Sequence, residues 1–153
     1  AFGAQVLQAD GTVNRSALAQ RVFRDLRARR RFEAIVHPGV FREIRRRLRQ
    51  AKASGRVRMA VVEIPLLIEA KAQALVDVGV VVTAPPRVQQ QRLQKRGMSR
   101  EEIARRIAAQ MDLLAKVALA DEVVDNSDGM AQTRRQVTQL WTRLLDRTGK
   151  PRG

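Results

Sequence analysis

A chain of 153 residues, 44% apolar and 29% charged, is long enough to bury a core and reads as one globular domain rather than a disordered segment. It has no cysteine, which excludes disulfides, thiolate metal sites and a cysteine nucleophile; no secretory signal opens it, and no apolar run approaches the ~18 residues of a membrane-spanning helix, so the cytoplasm is the default placement. The net charge of +15, carried by 25 arginines and 5 lysines, attracts nucleic acid or phosphorylated small molecules, although a solvated basic surface is the competing reading of any single arginine.

Asn14-Arg15-Ser16 opens a helical pattern in which Leu18, Val22 and Leu26 recur every four residues. His37-Pro38 predicts a break, because the residue before proline is pushed extended while Pro38 suits the first turn of a new helix. That second helix carries Phe41, Ile44 and Leu48 and closes at Ser54-Gly55. Two strands are predicted next, at Val57–Ile64 and Asp77–Thr83, joined by a crossover helix over Leu66–Leu75 into a parallel βαβ unit. Pro85-Pro86 starts another helix, which Gly97 ends after Arg96, and Ser99 with Glu102 forms a capping box for the one after it. Ile103, Ile107 and Met111 are expected to share one face. A short strand at Glu122–Asp125 leads through the turn Asn126-Ser127-Asp128-Gly129 into a last helix, striped by Val137, Leu140, Trp141, Leu144 and Leu145. The Gly/Pro/Lys-rich tail from Thr148 is expected to fray.

Alternating strands and helices around a parallel sheet place ligands at the carboxyl ends of the strands. Glu63, in Val61-Val62-Glu63-Ile64-Pro65-Leu66-Leu67-Ile68-Glu69, stands near such an end, where a carboxylate either helps hold Mg²⁺ or caps a loop. Arg92, Arg96, Arg105 and Arg106 bracket the turn at 97–99, and read as a lid closing over phosphates or as an exposed basic hairpin. Arg105, about 100° round the helix from Arg106, is expected to point elsewhere. His37 is the only histidine; before a proline it reads as a turn residue, and no metal site is expected from the protein's own ligands. No G-x-x-x-x-G-K-[ST] phosphate loop occurs in the sequence, and the chain opens at Ala1-Phe2-Gly3 without methionine. The expectation is the larger, C-terminal part of an enzyme whose first βαβ unit has been lost.

The order of short motifs resembles a known family. Phe2-Gly3, Val6-Leu7, Asp10-Gly11, Asn14-Arg15, Leu18-Ala19 and Val22-Phe23, then Glu33, Ile35, His37-Pro38 and Val40, resemble the substrate-binding segment of bacterial dephospho-CoA kinases. Pro65-Leu66-Leu67-Ile68-Glu69 is similar to that family's Pro-Leu-Leu-x-Glu signature. Gln91-Arg92-Leu93, Arg96, Arg106-Ile107, Gln110-Met111, Lys116, Ala120-Asp121 and Val124-Asp125-Asn126-Ser127 continue it as far as about Trp141.

The resemblance implies a P-loop-kinase-like α/β fold with a parallel sheet flanked by helices, lacking the N-terminal βαβ unit. It divides the chain into a helical substrate-binding segment at 10–54, a core at 55–84 and 121–148, and a lid region at 86–120. It implies transfer of the γ-phosphoryl of ATP, with Mg²⁺, to the ribose 3′-hydroxyl of dephospho-CoA. Arg106, Arg92 and Glu63 would serve catalysis; Arg15, His37, Leu66, Leu67 and Glu69 would bind the acceptor; Arg96 and Asn126 would contact ATP. Glu63 stands where the family usually has aspartate, and the family's P-loop and general base have no counterpart in these residues, so the chain alone is expected to be inactive. The alternatives are a fragment of a related nucleoside or nucleotide kinase, a basic nucleic-acid-binding protein, and a non-catalytic remnant. The aromatic content of 3% offers little base stacking, so no specific nucleic-acid partner is expected.

Overall fold

The computed structural model describes residues 2–148; the tail beyond Thr148, with its expected fraying, lies outside the described residues. A 3₁₀ turn at Ala4–Val6 and an isolated antiparallel bridge between Leu7 and Val13 lead into α1, Arg15–Arg24. The helix starts where the sequence predicts, and Asn14 caps it, its side chain accepting the Ala17 N–H at 3.0 Å. Asp25 caps α2 in the same way, with the Arg27 N–H at 2.8 Å.

α2 runs unbroken from Leu26 to Ala53, with Pro38 inside it, so the predicted break at His37-Pro38 does not occur. A proline in a helix interior forfeits one ladder bond and crowds the preceding turn, at about 3 kcal/mol. Contacts upstream of Pro38 and across it oppose that cost. Upstream, Ala28 is buried and Phe32 meets Phe2 edge-on at 6.3 Å; across Pro38 itself, Phe41 lies against His37 within the helix at 5.4 Å between ring centroids.

Residues 57–64 are extended but form no strand, which corrects the second expectation. A strand exists through its ladder, and among the described residues this segment has no partner. Val61 is consequently 80% exposed. The predicted crossover helix at Leu66–Leu75 is instead a run of tight turns closed by a 3₁₀ turn at Gln73–Leu75. The Ala70 N–H reaches the Leu66 carbonyl at 2.8 Å, but Lys71 then adopts φ +53°, in the left-handed region, where an α-helix cannot continue. The turns still bury Ile68 and Ala72.

The sheet of the described residues has two strands: β1, Val80–Thr83, and β2, Glu122–Asp125, parallel and in register from Val80 opposite Glu122 to Thr83 opposite Asp125. The parallel partner of β1 is thus the later strand, not the segment before it. β1 starts later than predicted because the Gly79 N–H is already held by the Asp121 carboxylate at 2.7 Å, outside the ladder.

Between the strands run α3, Pro86–Lys95, α4, Arg100–Ala108, and α5, Leu113–Ala118; α6, Met130–Thr148, follows β2. Gly97 ends the α3 segment at φ +84°, and the Ser99 hydroxyl caps α4 by accepting the Glu102 N–H at 3.2 Å, both as predicted. α5, capped by Asp112, has no counterpart in the sequence reading. α1 packs on α2 and α4, α3 on α4, α5 on β1 and α6 on β2. Glu122 anchors α6 by accepting from Arg143 and Arg147, both at 2.9 Å.

The core is thin. Ile103 and Leu140 are buried, but Ile107, inside α4, is exposed, and so is Met111, which lies beyond the end of α4 at Ala108 and so off the expected face. In the α6 stripe Val137 and Trp141 remain exposed, as are Val82, Leu114 and Met130 elsewhere. Apolar surface of this extent drives association. The chain is expected to self-associate, read as a rise of weight-average mass with concentration in sedimentation equilibrium. A monodisperse monomer with cooperative unfolding at a high midpoint would contradict this.

Candidate functional site

α1 and α4 face each other across a cleft of about 470 Å³, lined by Arg15, Ser16 and Arg24 from the two ends of α1 and by Ser99, Arg105 and Arg106 from the start and body of α4. The Asn14 and Ser99 caps fix where these helices begin, and so where the first-turn side chains project. Arg106 is the best positioned of the four guanidiniums. Its Nε and Nη2 donate to Glu102 Oε1 at 3.2 and 2.9 Å, and its guanidinium carbon lies 5.0 Å from the centroid of the Phe23 ring. The carboxylate and the π-face together hold the guanidinium over the Phe23 ring of α1. Arg105 lines the same cleft, contrary to the expectation that it points elsewhere; the cleft is wide enough to take side chains 100° apart on α4. Four arginines against the single carboxylate of Glu102 leave the cleft strongly positive, and the chemistry it can perform is to bind and neutralise an anion.

A second cluster forms at the carboxyl ends of the strands. Arg92 donates Nη1 to the Asn126 carbonyl at 2.7 Å and Nη2 to that of Asp128 at 3.3 Å. The Asn126 side chain accepts the Thr133 hydroxyl at 3.1 Å. Arg92 and Asn126 are therefore brought together, as are Arg15 and Arg106 across the cleft.

Glu69 takes part in neither cluster. It pairs with Lys116 Nζ at 2.6 Å, with both side chains largely buried, and accepts the Met111 N–H at 3.2 Å. Burial pushes its carboxyl up, but the Lys116 ammonium and the backbone N–H groups outweigh this and hold it below the ordinary 4.5. Leu66 and Leu67 are half-buried in the turns just before it.

The remaining sequence candidates are dispersed. His37 is stacked on Phe41 within α2, in mid-helix rather than at the turn its place before proline predicts. Arg96 is exposed at the end of α3. Glu63 is exposed on the extended segment, not at the end of a strand; with Val40, Glu43 and Arg47 it lines an open, largely apolar groove of about 600 Å³ between α2 and residues 60–63. There Arg46, the larger influence, and Arg47 hold the Glu43 carboxyl down to about 2.

Four contributors are not among the site residues expected from the sequence: Phe23, Arg24, Glu102 and Lys116. Only Glu102 carried a readable signal, four residues before Arg106 on one helix face. Phe23 and Lys116 act through contacts between elements that no local pattern reports.

A parallel strand pair with flanking helices and a basic cleft defines an α/β protein equipped to bind an anion. A family model described as dephospho-CoA kinase matches residues 1–132. The dephospho-CoA kinase of Frankia casuarinae is 40% identical over 146 residues, 95% of this chain and 62% of that protein. That of Carboxydothermus hydrogenoformans is 42% identical over 140 residues, 91% of this chain and 68% of its own length. Among solved structures, TT1252 from Thermus thermophilus superposes with a TM-score of 0.68 at 30% identity, covering 94% of this chain and 73% of that one. Dephospho-CoA kinase from Campylobacter jejuni shares the fold, with a TM-score of 0.61 at 22% identity over 92% of this chain and 70% of that one. The chain belongs to the dephospho-CoA kinase family. It spans about three fifths to two thirds of the length of the first two relatives.

The Glu69–Lys116 pair predicts a pH dependence with a defined sign. A carboxyl whose value is lowered on folding adds stability above its unfolded value of 4.5, lost as pH falls through the lower folded value. Glu69→Gln is expected to cost about 1.5–3 kcal/mol at neutral pH, the range for a hydrogen bond to a charged group. In urea titrations the gap from the parent should close in acid. A gap that persists unchanged at low pH would show that the charge contributes nothing.

Proposed function

We propose that this chain forms the acceptor-binding, lid and distal core parts of a cytoplasmic enzyme that transfers the γ-phosphoryl of ATP to the ribose 3′-hydroxyl of dephospho-CoA. The observation that carries this reading is the α1–α4 cleft: four guanidiniums lining one concavity suit substrates that each bear a chain of phosphates. Membership of the dephospho-CoA kinase family supplies the donor and the acceptor. Among the described residues, no helix is long and apolar enough to cross a membrane.

On this reading residues 10–54 bind the acceptor, 55–84 and 121–148 form the core, and 86–120 form the lid. Arg15 and His37 belong to the acceptor side, with Leu66, Leu67 and Glu69 at the turns beneath it. Arg106 faces the phosphates, with Arg96 further out and Asn126 beside the adenine. Among the described residues no group of three or more His, Asp or Glu side chains is placed to hold a metal ion. Glu63 offers one exposed carboxylate. That suits Mg²⁺ held chiefly by the nucleotide's own phosphates, the mode in which this ion usually serves kinases.

Phosphoryl transfer depends on positioning and charge neutralisation. These residues contain no G-x-x-x-x-G-K-[ST] cradle, so the chain by itself is expected to make no CoA. A chimera that places a family-type P-loop unit ahead of Phe2 is expected to form CoA from ATP and dephospho-CoA. A soluble, folded chimera inactive on dephospho-CoA but active on another nucleoside acceptor would overturn the acceptor assignment.

In that chimera Arg106→Ala should lower kcat more than it raises the KM for ATP, the signature of a contact made mainly in the transition state. Arg106→Lys should recover only part of the loss, since an ammonium keeps the charge without the planar fork. Equal, mild effects at Arg105 and Arg106 would return both to ordinary surface charge.

A further inference from the structure

The loop that follows β2 lies at the carboxyl ends of both strands, and three elements fix its shape. From β1, the Thr83 carbonyl accepts the Asn126 N–H at 2.8 Å, extending the ladder one residue beyond β2. From α6, the Thr133 hydroxyl donates to Asn126 Oδ1. From α3, Arg92 gives both terminal nitrogens to the loop, at the carbonyls of Asn126 and Asp128. Within the loop, the Asp125 carboxylate accepts the N–H of Ser127 at 2.9 Å and also its hydroxyl.

The engagement of Arg92 has two consequences. Its fork spans carbonyls two residues apart, so it fixes the turn between them rather than a single atom; a lysine ammonium has no such span. Two carbonyl oxygens also take up both terminal nitrogens of the guanidinium, and their partial negative charge opposes an anion docking end-on there. In the α1–α4 cleft the situation is reversed. Glu102 takes up Nε and Nη2 of Arg106, and Nη1 has no partner among the described residues.

We propose that Arg92 is a positioning residue: it holds the 126–129 loop in the form that receives the nucleotide base, and it is not itself a phosphate ligand. This rests on the kinase reading above for the identity of the ligand, but not for the conformation of the loop. A base at this loop meets backbone donors and acceptors whose directions Arg92 sets, so its loss should weaken the base contact and leave the phosphate contact intact.

The test compares Arg92→Met, Arg92→Lys and the charge-matched control Arg87→Met, an exposed position on the same helix. Amide hydrogen exchange reports the loop in the chain as it stands. Exchange at 126–129 should accelerate about tenfold in Arg92→Met, the loss of roughly 1.4 kcal/mol of local stability. Arg92→Lys should recover little of it, and Arg87→Met should match the parent. Unchanged exchange in Arg92→Met would overturn the proposal.

Ligand titration followed by NMR, with adenosine and inorganic tripolyphosphate as separate probes, then tests the role. Arg92→Met should lose several-fold in adenosine affinity and keep its tripolyphosphate affinity. Loss of tripolyphosphate binding with adenosine binding retained would make Arg92 a phosphate ligand and overturn the proposal. If the parent binds neither probe while loop exchange still accelerates in Arg92→Met, the strut stands and the nucleotide reading of the site fails.

Discussion

The parallel pairing of β1 with β2 is the constraint on which the rest of the chain depends. Only four residues pair on each side, yet their register decides which loops meet. Because the strands run the same way, residues 84–85 and 126–129 leave the sheet side by side, and α3 and α6 start from neighbouring points. Arg92 on α3 can therefore reach the loop leading into α6. An antiparallel pair would have put that loop at the opposite end of the sheet. The pair is short, and it is buttressed outside its own ladder: Asp121 holds Gly79 at one end, Asn126 extends the bonding at the other, and Glu122 fastens α6 across its face.

Charge organises the second level. With arginine so abundant, the informative distinction is which guanidiniums are committed and to what. Arg29 pairs with Glu33 at a half-buried position, and Arg46 and Arg47 with Glu43 at exposed ones, along α2; the exposed pairs contribute little. Arg92 is committed to backbone carbonyls, an uncharged partner that leaves its positive charge uncompensated while fixing its position. Arg106 is half-committed, braced by Glu102 and Phe23, with one terminal nitrogen left over. A guanidinium oriented in advance loses less freedom when it meets an anion than one waving in solvent, which is why bracing matters at a binding site.

The Ser99 cap and the helix start at Asn14 were legible in the sequence, because a cap is local chemistry acting within three residues; the cap at Asp25, inside a pattern that reads as one continuous helix, was not. Gly97, whose positive φ serves the turn after α3, was legible too, as was β2, whose bounds match the prediction. What failed depended on partners distant in sequence. Val57–Ile64 has the composition of a strand but lacks a neighbour among the described residues, and composition alone supplies no hydrogen bonds. Pro38 carries a strong local signal, yet the helix runs through it, held by Ala28 and Phe32 upstream and by the His37–Phe41 contact across it. Of the site, the arginines of the hairpin at 92–106 were visible as candidates. Their sorting into a braced cleft residue and a loop strut was not, because it is set by Phe23 and by carbonyls on another element.

The central claim is that the α1–α4 cleft, rather than the basic surface at large, receives the phosphates. The most direct measurement titrates the ¹⁵N-labelled chain with ATP and follows the arginine side-chain Nε–H resonances. Those of Arg15 and Arg106 should shift together along one saturating curve, while those of exposed Arg134 and Arg135 on α6 stay in place. Uniform, non-saturating shifts across all arginines, abolished by moderate salt, would contradict the claim and reduce the cleft to part of a generally cationic surface.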